Sequence, residues 1–289
     1  MNARGRAAGL RSTGFRRGGF VLLVLAPLMA APDSVRGEVA GVHATRLGAA
    51  KCTRAAFRVV VDVGHTAQQP GAISARGVGE FDFNLWLAKR IEAALKEKGF
   101  TKTVLLVRTG PNRAELPDRV AAANALRGDL LLSIHHDSVP TLLIETWEYE
   151  GAEGRFSDRF KGHSIFISGE NVQYQRSLAF ARLLGRQMKA RGLAYTSHYT
   201  DKIMGNRRRA LVDKETGVYR FDQLIVLMGT RMPAALLEAG SIVNRDEELA
   251  MQSPERQALI AAAVTEAVEG FCASARSRLP SGAGRIWRL

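Results

Sequence analysis

The run Val60-Val61-Asp62-Val63-Gly64-His65 decides how this chain folds. A short apolar stretch that ends on glycine and histidine reads as a buried strand of an α/β sheet. Two further runs repeat the pattern, Leu131-Leu132-Ser133-Ile134-His135 and Pro233-Ala234-Ala235-Leu236-Leu237-Glu238. Each finishes on a residue able to bind a metal or move a proton. Polar residues at the carboxyl ends of such strands sit where open α/β sheets place their ligands. Three strands that deliver His, His and Glu to one rim describe a metal site with a general base.

The chain between these runs supplies the rest of the sheet. Phe57 to Val63 is the first strand, followed by a loop over 64–80 rich in Gly, Gln and Pro. Phe81 to Lys98 is an amphipathic helix, with Leu85, Ala88, Ile91 and Leu95 at spacings of three and four. Gly99 stops it. Lys102 to Val107 is a second strand, Leu116 to Leu126 a helix, and Leu130 to Ile134 the third strand. Strand and helix in alternation give an α/β fold, a mostly parallel central sheet flanked by helices in a single catalytic domain.

The later part is less regular. Residues 138–162 show no clear period and carry Trp147, Tyr149, Phe156 and Phe160. His163 to Ile167 reads as a strand and Tyr174 to Arg191 as a long helix closed by Gly192. Residues 193–222 are irregular and basic, and include Arg207-Arg208-Arg209. Leu224 to Met228 and Ala234 to Leu237 read as short strands. Ser253-Pro254, a cap followed by proline in the first turn, starts a helix that runs to about Ala275. Long structureless segments at a strand-end rim are usually lids or binding walls, so 138–162 is a candidate gate, with an insert packed on the domain's flank as the competing reading.

With 289 residues, 46% of them hydrophobic, the chain has ample material for one core. Residues 1–31 stand apart. Arg4, Arg6, Arg11, Arg16 and Arg17 precede the uninterrupted apolar stretch Phe20 to Ala26, and small residues follow. This is the layout of a secretory signal peptide, and the apolar run is too short to span a membrane. Arg16-Arg17 permits a twin-arginine signal, but the remaining pattern favours the general export route. The expected mature protein is periplasmic or secreted, with no stable membrane span. Residues 32–53 form a flexible arm and 277–289 a flexible tail. Of the net charge of +13, five units belong to the leader, which leaves eight on the mature chain. Such a surface favours anionic polymers or membrane surfaces, and a charge that serves only solubility is an equally open reading. No nucleic-acid motif is present, so nucleic acid is not an expected partner. The two cysteines, Cys52 and Cys272, fall before the first strand and at the end of the last helix. In a βα unit these ends are neighbours, so a disulfide and two free thiols are equally open readings.

The site is built from His65, Glu80 and His135 as ligands of one Zn²⁺, with Glu238 as the catalytic acid–base group. Three protein ligands leave zinc an open position, the mark of a catalytic site. Taken singly the signals are weak. A lone buried His is more often a hydrogen-bonded core residue, Glu80 alone would be a first-turn acid favoured by the helix dipole, and Glu238 alone a satisfied buried carboxylate. The set, each member at an element boundary, carries the argument.

The same residues resemble a family, the zinc-dependent N-acetylmuramoyl-L-alanine amidases of type 3, which are bacterial cell-wall hydrolases. Asp62-Val63-Gly64-His65, Pro70-Gly71-Ala72 and Glu80 follow its opening motif. Leu106-Val107-Arg108, Leu116, Arg119, Ala123-Asn124 and Ser133-Ile134-His135 follow its middle. Met232 to Glu238, Asn244 and Asp246-Glu247-Glu248 follow its end. The resemblance covers about residues 57–270. It implies an amidase domain over 54–276, zinc on His65, Glu80 and His135, and catalysis by Glu238. The implied reaction is hydrolysis of the amide between the lactyl group of N-acetylmuramic acid and L-alanine in peptidoglycan, with an activator protein as a further partner. Val63, His136-Asp137 and Ala239-Gly240-Ser241 depart from the family pattern. Strand alternation points His136 away from the metal, and a contact with substrate or metal is the open alternative. Two other readings compete. A zinc carboxypeptidase-like hydrolase would use an Arg among 207–209 for a terminal carboxylate. A non-catalytic cell-wall binding or regulatory protein would not need Glu238.

Overall fold

A computed structural model describes residues 52–109 and 115–276 of the chain. The expected leader, the arm up to residue 51 and the tail 277–289 lie outside the described residues. The first half follows the predicted order: β1 (Val59–Val63), α1 (Glu80–Glu97), β2 (Val104–Leu106), α2 (Glu115–Ala125) and β3 (Leu130–Asp137). Then come β4 (Glu145–Tyr149), β5 (Ala152–Phe156), β6 (Ser164–Ile167), α3 (Tyr174–Ala190), β7 (Ala210–Asp213) and β8 (Val218–Arg220). The chain closes with α4 (Ile225–Gly229), β9 (Ala234–Ser241), α5 (Arg245–Gln252) and α6 (Pro254–Arg276). The central sheet has seven strands in the order β2-β1-β3-β9-β6-β8-β7. β1 pairs in parallel with β2 and β3, β3 with β9, and β6 with β8. β6 runs antiparallel to β9, and β7 to β8.

Side-chain alternation divides the core. Leu130, Leu132 and Ile134 join one apolar cluster with Phe83, Leu87, Ile91 and Leu95 of α1, Phe180 and Leu184 of α3, and Val264 and Phe271 of α6. Leu131, Ala234 and Leu236 face the other way, into a cluster with Ala123 of α2 and Leu227 of α4. Period two in the strands and three-to-four in the helices is what lets one stretch of sequence serve both layers. On this second face the alternation also sets Ser133, His135 and Glu238, and the register pairs His135 with Glu238 directly.

Several expectations need correction. Leu224 to Met228 is not a strand: Ile225–Gly229 forms a turn and a half of helix, with Leu227 buried and Ile225 and Met228 exposed. A five-residue apolar run carries no period, and here its burial is one-sided, as on a helix. Residues 138–162 are not structureless but contain the β4–β5 hairpin. Its turn is Glu150-Gly151, both with positive φ (50° and 77°). That geometry suits Asn-Gly or Asp-Gly, and Glu-Gly hides it from a sequence reading. Residues 193–222 likewise hold β7 and β8, joined by a turn in which the Asp213 carboxylate accepts from the backbone N–H of Glu215 and Thr216. β3 and β9 run on past their predicted ends, so His135 and Glu238 lie inside strands rather than at their tips.

Cys52 and Cys272 are joined by a disulfide, with Cα atoms 5.2 Å apart. Cys52, assigned by sequence to the flexible arm, is thereby tied to α6. The bridge closes a loop with a sequence separation of 220 residues. Its reduction is expected to cost roughly 2–5 kcal/mol by freeing the unfolded chain. Denaturant midpoints of the oxidised and reduced protein measure this, and coincident curves would show that the bridge contributes nothing. Among the described residues no helix is long and apolar enough to cross a membrane.

Candidate active site

The loop between β1 and α1 folds back over the sheet edge. The Glu80 N–H donates to the Ala72 carbonyl at 2.8 Å and the Phe81 N–H to the Pro70 carbonyl at 2.9 Å. This return places the first side chain of α1 beside the end of β1. His65 follows β1 with a φ of 63°, unusual for a residue with a Cβ. Such strain persists only when the surroundings hold it. Arg119 of α2 does so, donating to the His65 carbonyl at 2.7 Å and also to the Val63 carbonyl. The same guanidinium pairs with Asp62 at 2.8 Å, and Asp62 accepts from Ser133 Oγ at 2.6 Å. All three side chains are buried. Loss of Arg119 would strand the Asp62 charge and release His65 together.

Glu80 joins the two histidines. Its Oε2 lies 3.0 Å from His65 Nε2 and its Oε1 2.9 Å from His135 Nδ1. Oε2 also accepts from the Ala72 N–H, and Oε1 from the His136 N–H and Asn84 Nδ2. Burial pushes this carboxyl up. The hydrogen bonds and charges of His135 and His65 more than reverse it, which leaves Glu80 well below the usual carboxylate range. His65, Glu80 and His135 each offer one ligand atom, and these atoms all lie within 4.8 Å of one another. Two imidazoles and an ionised carboxylate are donors that suit zinc. The packing around them leaves no room for larger neighbours. A Cβ on Gly64 would fall 2.4 Å from the His135 ring, and one on Gly71 (φ +81°) 2.5 Å from Glu80 Oε2.

Glu238 lines the same cleft of about 270 Å³ as His65, Glu80 and His135. Its Oε2 is buried without a hydrogen-bond partner among the described residues. Burial, then the nearby Asp137 and Glu80 carboxylates, raise it well above an ordinary glutamate. Such a setting favours the protonated form of the carboxyl. Asp137, pushed up to about 6 mainly by burial, accepts from Tyr199 Oη and the Ser138 N–H, both at 2.7 Å.

His136 sits where alternation put it, on the opposite face of β3. It packs on Phe83, and its Nδ1 lies 2.8 Å from Asn84 Oδ1. Burial lowers it to about 3, so it is neutral at physiological pH. Through Asn84 it braces Glu80 from behind. The sequence reading missed this role and that of Tyr199; it quoted Arg119 only as part of the family pattern, and Arg207 to Arg209 only as a carboxypeptidase's partner for a terminal carboxylate. A buried Asp62 in a strand was the one local hint that a buried cation had to be near.

The β4–β5 hairpin is packed down beside the cleft rather than across it. Trp147 Nε1 donates to the Ala75 carbonyl at 3.0 Å. Arg76 lies over both Trp147 and Tyr149, and Arg245 over Trp147 and Phe156. Arg76 is itself tied to the buried Glu248 at 2.6 Å. Glu153 lines a neighbouring groove of about 460 Å³. None of Glu145, Glu148, Glu150 or Glu153 lines the catalytic cleft itself.

The chain is similar to several bacterial amidases. The chain is 24% identical over 224 residues to the N-acetylmuramoyl-L-alanine amidase AmiA of Escherichia coli, which covers 74% of this chain and 75% of that protein. Among solved structures, the N-acetylmuramyl-L-alanine amidase Ami1 of Mycobacterium smegmatis superposes with a TM-score of 0.57 at 21% identity, over 75% of this chain and 97% of its own. The CwlD amidase of Clostridioides difficile, solved in complex with the GerS lipoprotein, gives 0.53 at 16% identity, over 75% and 99%. The family model Amidase_3, N-acetylmuramoyl-L-alanine amidase, matches residues 59–270, from the first residue of β1 to within the last two turns of α6, and the chain belongs to that family.

Proposed function

We propose that this chain is an exported zinc amidase. It hydrolyses the amide that joins the lactyl group of N-acetylmuramic acid to L-alanine in peptidoglycan. The observation that carries the reading is the convergence of His65, Glu80 and His135 from three elements beside the unpartnered carboxyl oxygen of Glu238. Family membership supports the amide chemistry. The domain responsible spans 54–276.

His65, Glu80 and His135 would hold one zinc per chain. Bound there, zinc supplies a Lewis acid that polarises the scissile carbonyl and lowers the pKa of the attacking water. Glu238 takes the proton from that water as the new C–O bond forms. It hands the proton to the alanine nitrogen as the C–N bond breaks, so the products are a lactyl carboxylate and a free stem-peptide amine. Arg119 fixes the His65 backbone, and Asn84 with the His136 N–H fixes the Glu80 carboxylate. Positioning of this kind is what converts a collection of donors into a site.

The disulfide suits an oxidising compartment, in keeping with a leader at 1–31 and a periplasmic or secreted enzyme. Peptidoglycan is the macromolecular partner. The complex of the CwlD amidase with a lipoprotein supports an accessory protein for this chain as well. The test is incubation of the purified mature protein with peptidoglycan and mass analysis of the soluble fragments. Intact stem peptides with a free L-alanine amino terminus are expected. Release of single carboxy-terminal amino acids would replace this reading with a carboxypeptidase.

A further inference from the structure

The helical turn Lys202–Arg207 ends on the first of three consecutive arginines, and they do not share one environment. Arg208 is extended (φ −60°, ψ 140°) and exposed, while Arg207 and Arg209 are half-buried and line the cleft that holds Glu80, His135 and Glu238. Alternation along an extended segment turns the outer two inward and the middle one out.

The two inward arginines are not equally matched. Arg207 Nη2 donates to the Ser138 carbonyl at 2.9 Å and lies 3.7 Å from Asp137 Oδ1. Arg209 has no carboxylate within ion-pair distance among the described residues. Its Nη1 donates to two neutral acceptors, the Asn206 and Arg208 carbonyls, both at 2.7 Å. Its Cζ lies 3.6 Å above the Phe221 ring, and its Nε is buried without a partner. Stacking on the ring recovers part of the desolvation cost and holds the guanidinium plane still. It does not neutralise the charge. A cation fixed in a cleft in this way is completed by an anion brought in with the substrate.

We infer that Arg209, with Arg207 beside it, is a specificity-determining carboxylate subsite, and that it selects stem peptides whose second residue carries a free α-carboxylate. The inference deepens the amidase reading and rests on it. Distance decides which anion is meant. In a stem peptide the second residue is a D-glutamate extended through its γ-carboxyl, so its α-carboxylate is the first negative charge beyond the scissile amide. Two residues span at most about 7 Å. The cleft of about 270 Å³ would be, as a sphere, about 8 Å across, so that carboxylate and the scissile bond fit in it together. Amidation of the α-carboxylate removes the charge and leaves Arg209 unmatched in the complex, which is how a polar site rejects an analogue.

The test uses the purified zinc-loaded protein and two soluble probes, N-acetylmuramoyl-L-Ala-D-Glu and its α-amide, N-acetylmuramoyl-L-Ala-D-isoGln. The wild type is expected to favour the acid by about 10–100-fold in kcat/KM, chiefly through KM. Arg209→Gln should bring the acid down to about the level of the amide, Arg209→Lys should restore part of the preference, and Arg208→Gln should alter neither. Equal cleavage of both probes by the wild type overturns the subsite, as does an equal loss on both in Arg209→Gln. Calorimetry with the free dipeptides L-Ala-D-Glu and L-Ala-D-isoGln separates the two claims. If neither probe is hydrolysed but the acid dipeptide binds more tightly through Arg209, the amidase reading fails and the carboxylate subsite stands. If stem peptides are released from peptidoglycan without any preference, the reverse holds.

Discussion

His135→Ala protein is expected to purify without zinc and to release stem peptides from peptidoglycan on the order of 10³-fold more slowly than wild type, or not at all. The size of the effect follows from the geometry. Removing the imidazole takes away one of three donor atoms that lie within 4.8 Å of one another. It also takes the Nδ1 partner from Glu80 Oε1, so the remaining carboxylate loses its alignment as well as a fellow ligand. Two residual ligands do not make a catalytic zinc site. The fold should survive, because His135 is only half-buried and belongs to neither apolar cluster. Metal content by atomic absorption, a melting curve and fragment release are the three measurements. Full zinc occupancy in His135→Ala would remove it, and with it the proposed triad, from the mechanism. His65→Ala should behave alike.

Glu238→Gln should separate binding from chemistry. The amide keeps the size and most of the polarity of the side chain but no longer accepts a proton. Zinc content should stay near one per chain while turnover falls by about 10²–10⁴-fold or more. The expectation rests on where the side chain lies. Glu238 pairs in register with His135, yet its Oε2 has no hydrogen-bond donor among the described residues. A structural carboxylate at such depth would be hydrogen-bonded, since burying it otherwise is costly. Replacement by an uncharged amide should therefore not destabilise the domain, and removing a carboxylate from beside Asp137 and Glu80 relieves repulsion. A Glu238→Gln enzyme with near-normal turnover would reduce Glu238 to a packing residue. Asp137, the buried acid of the cleft that is not a proposed zinc ligand, would then be the next candidate base.

Both predictions concern residues that were visible as strings of letters. Asp62-Val63-Gly64-His65, Ser133-Ile134-His135 and Leu236-Leu237-Glu238 announce themselves because a buried strand must be apolar, so a polar residue that interrupts it stands out. The amphipathic periods of α1 and α3 and the Ser253-Pro254 start of α6 were legible for the same reason. Each is a local pattern with a local cause. Ser253 Oγ does accept from the Arg256 N–H at 3.1 Å, as a helix cap should. Local rules failed where a segment gains its structure from what it rests on. The β4–β5 hairpin exposes most of both faces and is held by Arg76 and Arg245 against its aromatics, contacts no window of sequence contains. The helix at Ile225–Gly229 is set by one-sided burial of Leu227 against the second face of the sheet.

The sequence by itself therefore determined the α/β class and the strands that carry the site, and it singled out His65, Glu80, His135 and Glu238 as the candidate set. These follow from hydrophobic period and residue type, which are properties of short windows. Only the tertiary structure decided how the four are held. Arg119 reaches across from α2 to fix the strained backbone of His65, and Asn84 and His136 close around Glu80 from the far face of β3. It also decided that Cys52 and Cys272 bond, and that Arg207 and Arg209, but not Arg208, turn into the cleft. Hydrogen bonds and buried charges depend on distances between residues far apart in the chain, and those distances exist only once the sheet and its helices have packed.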